Sequence, residues 1–176
     1  MTSPGSAIVL IGPMGAGKTS VGRRVARALG QTFTDTDKAI VRDHGPIPEL
    51  FASFGEARFR EIERTAVADA LARGGVVALG GGAILDAATR ADLAAHRVVL
   101  LTVSPHIVAG RLHGGDRPLL ADADPVARWQ RIFAERRGLY EEAADVTFDT
   151  SSGPLAAVVA DIVSWAKQTQ TAEEDA

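Results

Sequence analysis

The sequence predicts an α/β fold in which helices cover both faces of a parallel sheet. Five short apolar segments are separated by longer stretches with helical spacing, an alternation typical of parallel α/β sheets. A glycine-rich loop at residues 12–19 lies between the first apolar segment and the first helical stretch. The chain has 176 residues, of which 46% are hydrophobic, and this suits one domain with a packed core.

The predicted elements follow from runs of apolar residues and from helical spacing. The strand candidates are residues 7–11, 32–34, 76–79, 98–103 and 146–148. The helical stretches are residues 21–29, 55–73, 89–96, 104–111, 126–143 and 154–167. We therefore predict a single domain over residues 1–176 with its core at 7–167. The polar, acidic end at residues 168–176 is expected to fray.

The composition argues against several classes of protein. The sequence contains no cysteine, which excludes disulfides and thiol nucleophiles and favours a cytoplasmic location. No run of about eighteen apolar residues predicts a membrane span, and the first residues do not resemble a signal peptide. A net charge of −3 argues against a nucleic-acid partner. The four histidines are scattered, without the spacing of metal ligands.

Residues 12–19 fit the phosphate-binding P-loop pattern, and their position between a strand and a helix predicts a P-loop NTPase fold. Glycines let backbone N–H groups close around phosphate oxygens, and the helix N-terminus adds partial positive charge. Lys18 is expected to reach the β- and γ-phosphates, and the Thr19 hydroxyl to bind Mg²⁺. A glycine-rich turn that binds nothing is the alternative. The expected nucleotide-binding residues of the loop are Gly15, Ala16, Gly17, Lys18, Thr19 and Ser20.

Two further groups of residues follow strand candidates, at the sheet edge where α/β proteins bind ligands. Asp35 and Asp37 end the second candidate; one could hold Mg²⁺ through water and the other could accept a hydroxyl proton. A pair of helix N-caps is an equal alternative. Gly80, Gly81 and Gly82 follow the third candidate, and a simple flexible turn is the alternative there.

Two charged segments have a less specific signal. Arg60 and Glu63 are spaced to pair along a helix, which would fix the direction of the guanidinium group. A solvated helix face stabilised by such pairs is the alternative. Residues 113–124 contain glycines, a proline and several charges, and this composition predicts a surface segment rather than core.

The order of these motifs resembles that of the shikimate kinases, which share the nucleoside monophosphate kinase fold. The resemblance covers residues 7–165 and depends on five elements. These are the loop at 12–19, Asp35-Thr36-Asp37, the pattern Phe-Gly-Glu-x-x-Phe-Arg-x-x-Glu at 54–63, Gly80-Gly81-Gly82-Ala83, and Arg117-Pro118-Leu119-Leu120 followed by Arg136 and Leu139-Tyr140.

The resemblance implies a three-layer α/β/α fold whose five strands lie in the order 2-3-1-4-5, with a mobile lid at about residues 112–124. It implies ATP-dependent phosphorylation of the 3-hydroxyl of shikimate, in the pathway to chorismate and the aromatic amino acids. Mg²⁺ is the implied cofactor, and ATP and shikimate are the implied partners of a monomer. Nucleic acid and membrane are not expected as partners.

The resemblance also implies a role for particular residues. Asp37 binds substrate hydroxyls and acts as the base, Arg60 and Arg136 hold the substrate carboxylate, and Gly81 and Gly82 present N–H groups to the substrate. Lys18 and Arg117 act on the transferred phosphoryl group. Arg111, Arg117 and Pro154 are implied to bind the nucleotide, and Thr19 and Asp35 to bind the metal.

This chain departs from the family pattern at the start of the lid. Leu112 follows Arg111 where many members carry a second arginine, so Leu112 offers adenine only apolar contact. Two other functions stay open at this point: a kinase of another small polyol acid, such as gluconate, and a nucleotide-binding regulatory module without transfer activity. Asp37 and Arg117 distinguish a kinase from the regulatory module, because a binding module needs neither a base nor a lid arginine.

Overall fold

The sheet has five parallel strands in the part of the chain that the computed structural model describes, residues 5–112 and 124–174. Their order is β2-β3-β1-β4-β5, as predicted. Each bound differs from the predicted one by at most one residue. The strands are β1 (Ile8–Ile11), β2 (Phe33–Asp35), β3 (Val76–Ala78), β4 (Arg97–Thr102) and β5 (Val146–Asp149).

β1 is the central strand and is buried along its whole length. In the register of the sheet, Leu10 lies beside Ala78 of β3 and Val99 of β4. Ile8 and Leu10 contribute to one core cluster, whereas Val9 and Ile11 contribute to the other. The alternation of side chains along β1 therefore feeds a core on each face of the sheet, which confirms the predicted three layers.

The helices cover both faces of the sheet, and in the described residues none is long and apolar enough to cross a membrane. Helices α1, α5 and α7 pack on one face, and α3 and α4 on the other, while α6 contributes to both clusters. Their bounds are α1 (Lys18–Leu29), α2 (Thr36–His44), α3 (Ile47–Arg73), α4 (Ala87–Leu93), α5 (Pro105–Arg111), α6 (Pro125–Ala143) and α7 (Leu155–Glu174).

Three helix predictions need correction. The prediction omitted α2, a short polar helix that begins directly after β2. Helix α3 is divided at Gly55, whose φ of 78° and ψ of 170° are not helical and suit glycine. Its second segment matches the helix predicted over residues 55–73, whereas the first segment, residues 47–54, was not predicted. Helix α7 continues to Glu174, so the segment predicted to fray is helical over residues 168–174.

A third, smaller cluster joins α2 to α3. It consists of Ile40, Leu50 and Phe59, and the ring of Phe51 packs against that of Phe59 at a centroid distance of 4.6 Å. This cluster lies beside the sheet rather than on it, and it positions the charged residues of α2 and α3 at the edge of the cleft described next.

Candidate active site

A cleft of about 420 Å³ opens at the carboxyl ends of β1, β2 and β3. The P-loop follows β1, Asp35 ends β2, Asp37 lies in the first turn of α2, and the glycines follow β3. The topology therefore brings all three predicted motifs together. The residues that line the cleft are Met14, Gly15, Gly17, Lys18, Thr19, Ser20, Asp35, Asp37, Ile47, Phe51, Phe59, Arg60, Glu63, Ala78, Leu79, Gly80, Gly81, Gly82, Arg111 and Arg136.

The P-loop runs from β1 into the first turn of α1. Gly12 has a φ of 141°, and a Cβ added there would lie 2.2 Å from the carbonyl oxygen of Leu101, so only glycine fits. The Lys18 Nζ donates to the carbonyl oxygens of Gly12 and Pro13 at 2.7 and 2.9 Å. The helix begins at Lys18 with Gly17 as its N-cap, which leaves its first N–H groups directed at the cleft.

Thr19 and Asp35 meet beside the loop. The Thr19 hydroxyl donates to Asp35 Oδ2 at 2.5 Å, while Asp35 Oδ1 accepts from the Lys38 backbone N–H at 3.1 Å. Asp35 is therefore the N-cap of α2 and a partner of Thr19 at once. The described residues hold no cluster of three or more metal-binding side chains. Two hard oxygen ligands beside a phosphate loop nevertheless fit Mg²⁺, which completes its shell with phosphate and water.

Asp37 is not a helix cap; it lies in the first turn of α2, half-buried in the wall of the cleft. Burial raises the pKa of Asp37, and Asp35 adds to this, while Lys18 and Arg60 act in the opposite direction. A Cβ added at Gly80 would lie 2.5 Å from Asp37 Oδ1. The glycine at position 80 therefore makes room for the carboxylate.

Arg60 and Glu63 form the predicted pair, but not on a solvated face. Arg60 Nη1 donates to Glu63 Oε1 at 2.7 Å, and the two side chains are 20% and 4% exposed. A second bond joins Arg60 Nη2 to Glu56 at 3.3 Å. Burial raises the pKa of Glu63, and the Arg60 charge opposes this. Arg136 lines the same wall of the cleft and is only 7% exposed.

The three glycines after β3 form a turn whose backbone groups make defined hydrogen bonds. The Gly80 N–H donates to the Thr36 hydroxyl at 3.2 Å, and the Tyr140 hydroxyl donates to the Gly81 carbonyl. A Cβ added at Gly82 would lie 2.3 Å from Arg60 Nη1. Thr36 and Tyr140 both stand in the motifs that carry the family resemblance, yet the sequence alone assigned a role to neither.

Two side chains brace the nucleotide side of the cleft. Arg111 donates to the carbonyl oxygens of Gly15 and Thr150, both at 2.9 Å. The buried Thr150 hydroxyl donates to the Ala16 carbonyl at 2.8 Å. Sequence reasoning missed Thr150, because a single threonine after a strand carries no signal of its own.

Some predicted site residues do not line the cleft. Ala16 is fully buried and contributes its backbone to the loop, and Pro154 is exposed at the start of α7. The neighbour of Pro154, Leu155, lies 3.9 Å from the position of a Cβ added at Gly17. Arg117 and the lid residues 113–123 lie outside the described residues, so the lid and the role of Arg117 stay predictions.

The sheet order, the P-loop and an adjoining pocket with a buried carboxylate and arginines define a small-molecule kinase of the P-loop class. A family model described as shikimate kinase matches residues 14–167. A shikimate kinase of Rhodococcus erythropolis is 47% identical over 161 residues, which are 89% of this chain and 94% of that protein. This chain therefore belongs to the shikimate kinase family.

Solved structures agree with this assignment. The shikimate kinase from Acinetobacter baumannii, in complex with shikimate, has a TM-score of 0.89 at 35% identity, with 94% of each chain covered. A gluconokinase from Sinorhizobium meliloti has a TM-score of 0.62 at 22% identity, with 98% of each chain covered. At that identity the likeness shows the fold alone, and it gives the gluconate alternative no further support. The matches to shikimate kinases confirm the predicted family.

Proposed function

We propose that this chain transfers the γ-phosphoryl group of ATP to the 3-hydroxyl of shikimate. The observation that carries the proposal is one cleft that joins a P-loop, a half-buried carboxylate at Asp37 and two arginines, Arg60 and Arg136. A phosphate loop alone serves many enzymes, whereas the adjoining pocket suits a small acceptor that has both hydroxyl and carboxylate groups. Membership of the shikimate kinase family supplies the identity of that acceptor.

The acceptor half of the cleft consists of Asp37, Arg60, Arg136 and the N–H groups of Gly81 and Gly82. The planar guanidinium groups of Arg60 and Arg136 match the geometry of a carboxylate, and both lie largely out of water, where such bonds are strong. Glu63 holds Arg60 in place at 2.7 Å. Asp37 accepts hydrogen bonds from the hydroxyl groups on the opposite side of the ring.

The nucleotide half consists of the P-loop with Gly15, Gly17, Lys18, Thr19 and Ser20, braced by Arg111. Lys18 and the N-terminus of α1 stabilise the negative charge of the phosphates. Thr19 and Asp35 would hold Mg²⁺, which neutralises phosphate charge when bound. The predicted contribution of Arg117 to the transferred group belongs to the same proposal.

Asp37 serves as the general base. As the substrate hydroxyl oxygen forms its bond to the γ-phosphorus, the bond from that phosphorus to the β–γ bridging oxygen breaks and leaves ADP, while the hydroxyl proton passes to Asp37. Burial raises the pKa of Asp37 towards the working pH, which improves its match to this task. We also propose that the protein acts as a monomer in the cytoplasm, a location that the absence of cysteine favours.

The test is a coupled assay of ADP release with shikimate, quinate, gluconate and nucleoside monophosphates as separate acceptors. We expect selective turnover of shikimate, with Asp37→Asn as the control for contaminating ATPase activity. Phosphorus NMR of the product then locates the phosphate on the ring. Preferential turnover of any other acceptor, or phosphorylation at another hydroxyl, would overturn the proposal.

A further inference from the structure

Helix α6 bonds to both halves of the cleft. Near its start, Trp129 Nε1 donates to the Met14 carbonyl in the P-loop at 2.8 Å. Near its end, the Tyr140 hydroxyl donates to the Gly81 carbonyl in the glycine loop. Arg136, which faces the acceptor pocket, lies on the same helix between these two contacts.

The two contacts are joined by a continuous row of rings. Phe133 stacks on Trp129 at a centroid distance of 5.4 Å and on Tyr140 at 6.3 Å. Trp129 belongs to the core cluster on one face of the sheet and Tyr140 to the cluster on the other, and Phe133 packs against both. We call Trp129, Phe133 and Tyr140 the aromatic strut. Because protein interiors are close-packed, such a row holds its two ends at a set distance.

Each hydrogen bond fixes the direction of a peptide N–H that borders the cleft. In a trans peptide the carbonyl and the following N–H point in opposite directions, and no described peptide bond is cis. Anchoring the Met14 carbonyl therefore turns the Gly15 N–H away from Trp129, and anchoring the Gly81 carbonyl turns the Gly82 N–H away from Tyr140. Within residues 5–112 and 124–174, neither N–H has an acceptor.

We propose that Trp129 and Tyr140 are positioning residues, Trp129 for nucleotide binding and Tyr140 for acceptor binding, and that the aromatic strut sets the spacing between the two halves. This inference rests on the proposed function for the identity of the acceptor. Burial raises the pKa of Tyr140 to about 12, so its hydroxyl stays a donor throughout the range of an assay.

The test compares Tyr140→Phe, which removes only the hydroxyl group, with Trp129→Phe, which removes the indole donor together with part of a buried ring. Losing one hydrogen bond that orients a binding group typically costs roughly three- to tenfold in affinity. Tyr140→Phe should raise the KM for shikimate by that factor and leave the KM for ATP within about twofold. Trp129→Phe should raise the KM for ATP by that factor and leave the KM for shikimate within about twofold. Phe133→Leu, which loses packing but no hydrogen bond, should lower the Tm without separating the two KM values.

The overturning result is a folded Tyr140→Phe enzyme whose KM for shikimate is unchanged, or one in which both KM values rise equally. Direct titration with ADP separates this proposal from the proposed function. If the parent protein does not phosphorylate shikimate, the proposed function fails. The positioning proposal still predicts that Trp129→Phe weakens ADP binding and that Tyr140→Phe does not. Equal ADP affinities of the two variants would overturn the positioning proposal.

Discussion

The two halves of the cleft are built in different ways. Most of the nucleotide half is one continuous segment, residues 12–20, in which a loop after β1 leads into the start of α1; Asp35 and Arg111 join it from other elements. The acceptor half takes Asp37 from α2, Arg60 from α3, the glycines from the end of β3 and Arg136 from α6. The first half depends on local geometry, whereas the second exists only after the chain has folded. Substitutions in the two halves should therefore have separable effects.

The halves also differ in their electrostatics. The nucleotide half presents a lysine and backbone N–H groups at a helix start, where partial charges come from the backbone itself. The acceptor half keeps ionisable side chains out of water, and burial raises the pKa of both Asp37 and Glu63. Buried charges destabilise a fold unless they are paired, so this half carries a cost in stability that the nucleotide half avoids.

The largest effect is expected from Asp37→Asn in the acceptor half. The amide keeps the shape of the carboxylate but loses the charge and the proton acceptor, so kcat should fall by ~10²–10⁴. The KM for ATP should hardly change, because the substitution lies outside the nucleotide half. Asp43→Asn is the matched control on the same helix, since Asp43 is exposed and pairs with Arg42. Steady-state kinetics with kcat unchanged in Asp37→Asn would remove Asp37 from the role of base.

Lys18→Ala tests the nucleotide half in the same way. Loss of this positive charge beside the phosphates should lower kcat by ~10²–10³. Shikimate binding without nucleotide, measured by calorimetry, should stay close to that of the parent. Lys38→Ala, at an exposed position on α2, is the control and should behave like the parent in both measurements. A Lys18→Ala protein that loses shikimate binding as well would show that the halves are not separable.

Arg60→Ala should act on acceptor binding rather than on turnover. A hydrogen bond to a charged group contributes about 2–3 kcal/mol, so the KM for shikimate should rise by about 30- to 150-fold with the KM for ATP unchanged. Arg58→Ala is the matched control, because Arg58 pairs with Glu61 at the same spacing but both side chains are more than half exposed. Equal kinetic effects of the two substitutions would contradict the carboxylate-binding role.

A comparison of Gly82→Ala with Gly81→Ala sharpens the geometry of the acceptor half. A methyl group at position 82 would displace the Arg60 guanidinium, although the backbone there, with φ −93° and ψ −7°, accepts alanine. We expect the KM for shikimate to rise about tenfold, with little loss of Tm. At position 81 the nearest atom lies 3.6 Å away, so alanine should be tolerated. The reverse ranking in the kinetic assay would place the carboxylate site elsewhere.

The smallest expected effect is a dependence of stability on pH. Since the folded-state pKa of Asp37 lies above its ordinary value of 3.8, the folded chain binds this proton more tightly than the unfolded chain does. The contribution of Asp37 to the free energy of unfolding therefore falls as the pH rises from the ordinary pKa to the higher folded-state pKa. Asp37→Asn should have a higher Tm than the parent at neutral pH, and the gap should close below pH 3.8.

Asp43→Asn again provides the control for the stability measurement. A hydrogen bond from Arg42 lowers the pKa of Asp43, so its ionised form is favoured by folding and its loss should give no gain in Tm. Thermal unfolding of the three proteins at several pH values makes the comparison. A gap for Asp37→Asn that stays constant with pH would show that ionisation of Asp37 does not destabilise the fold.

The sequence by itself determined the fold class, the position of the P-loop and the strand after which each motif lies. Apolar runs and glycine spacing are local signals in the sequence. A strand buried on both faces, such as β1, is visible there as a continuous apolar run. The same signals failed for α2, a helix of nine residues that are mostly polar, and for the polar end of α7. Helices of that kind form because tertiary contacts support them.

The family resemblance named the residues of the acceptor half, but only the tertiary structure decided which contacts hold them together. Nothing local distinguishes the buried pair Arg60–Glu63 from the exposed pair Arg58–Glu61, which has the same spacing. Trp129, Tyr140 and Thr150 bond to backbone carbonyls 115, 59 and 134 residues away, and a carbonyl group carries no side-chain signal. Spacing along the chain predicts contacts within one element, whereas contacts between elements depend on packing that brings distant segments together.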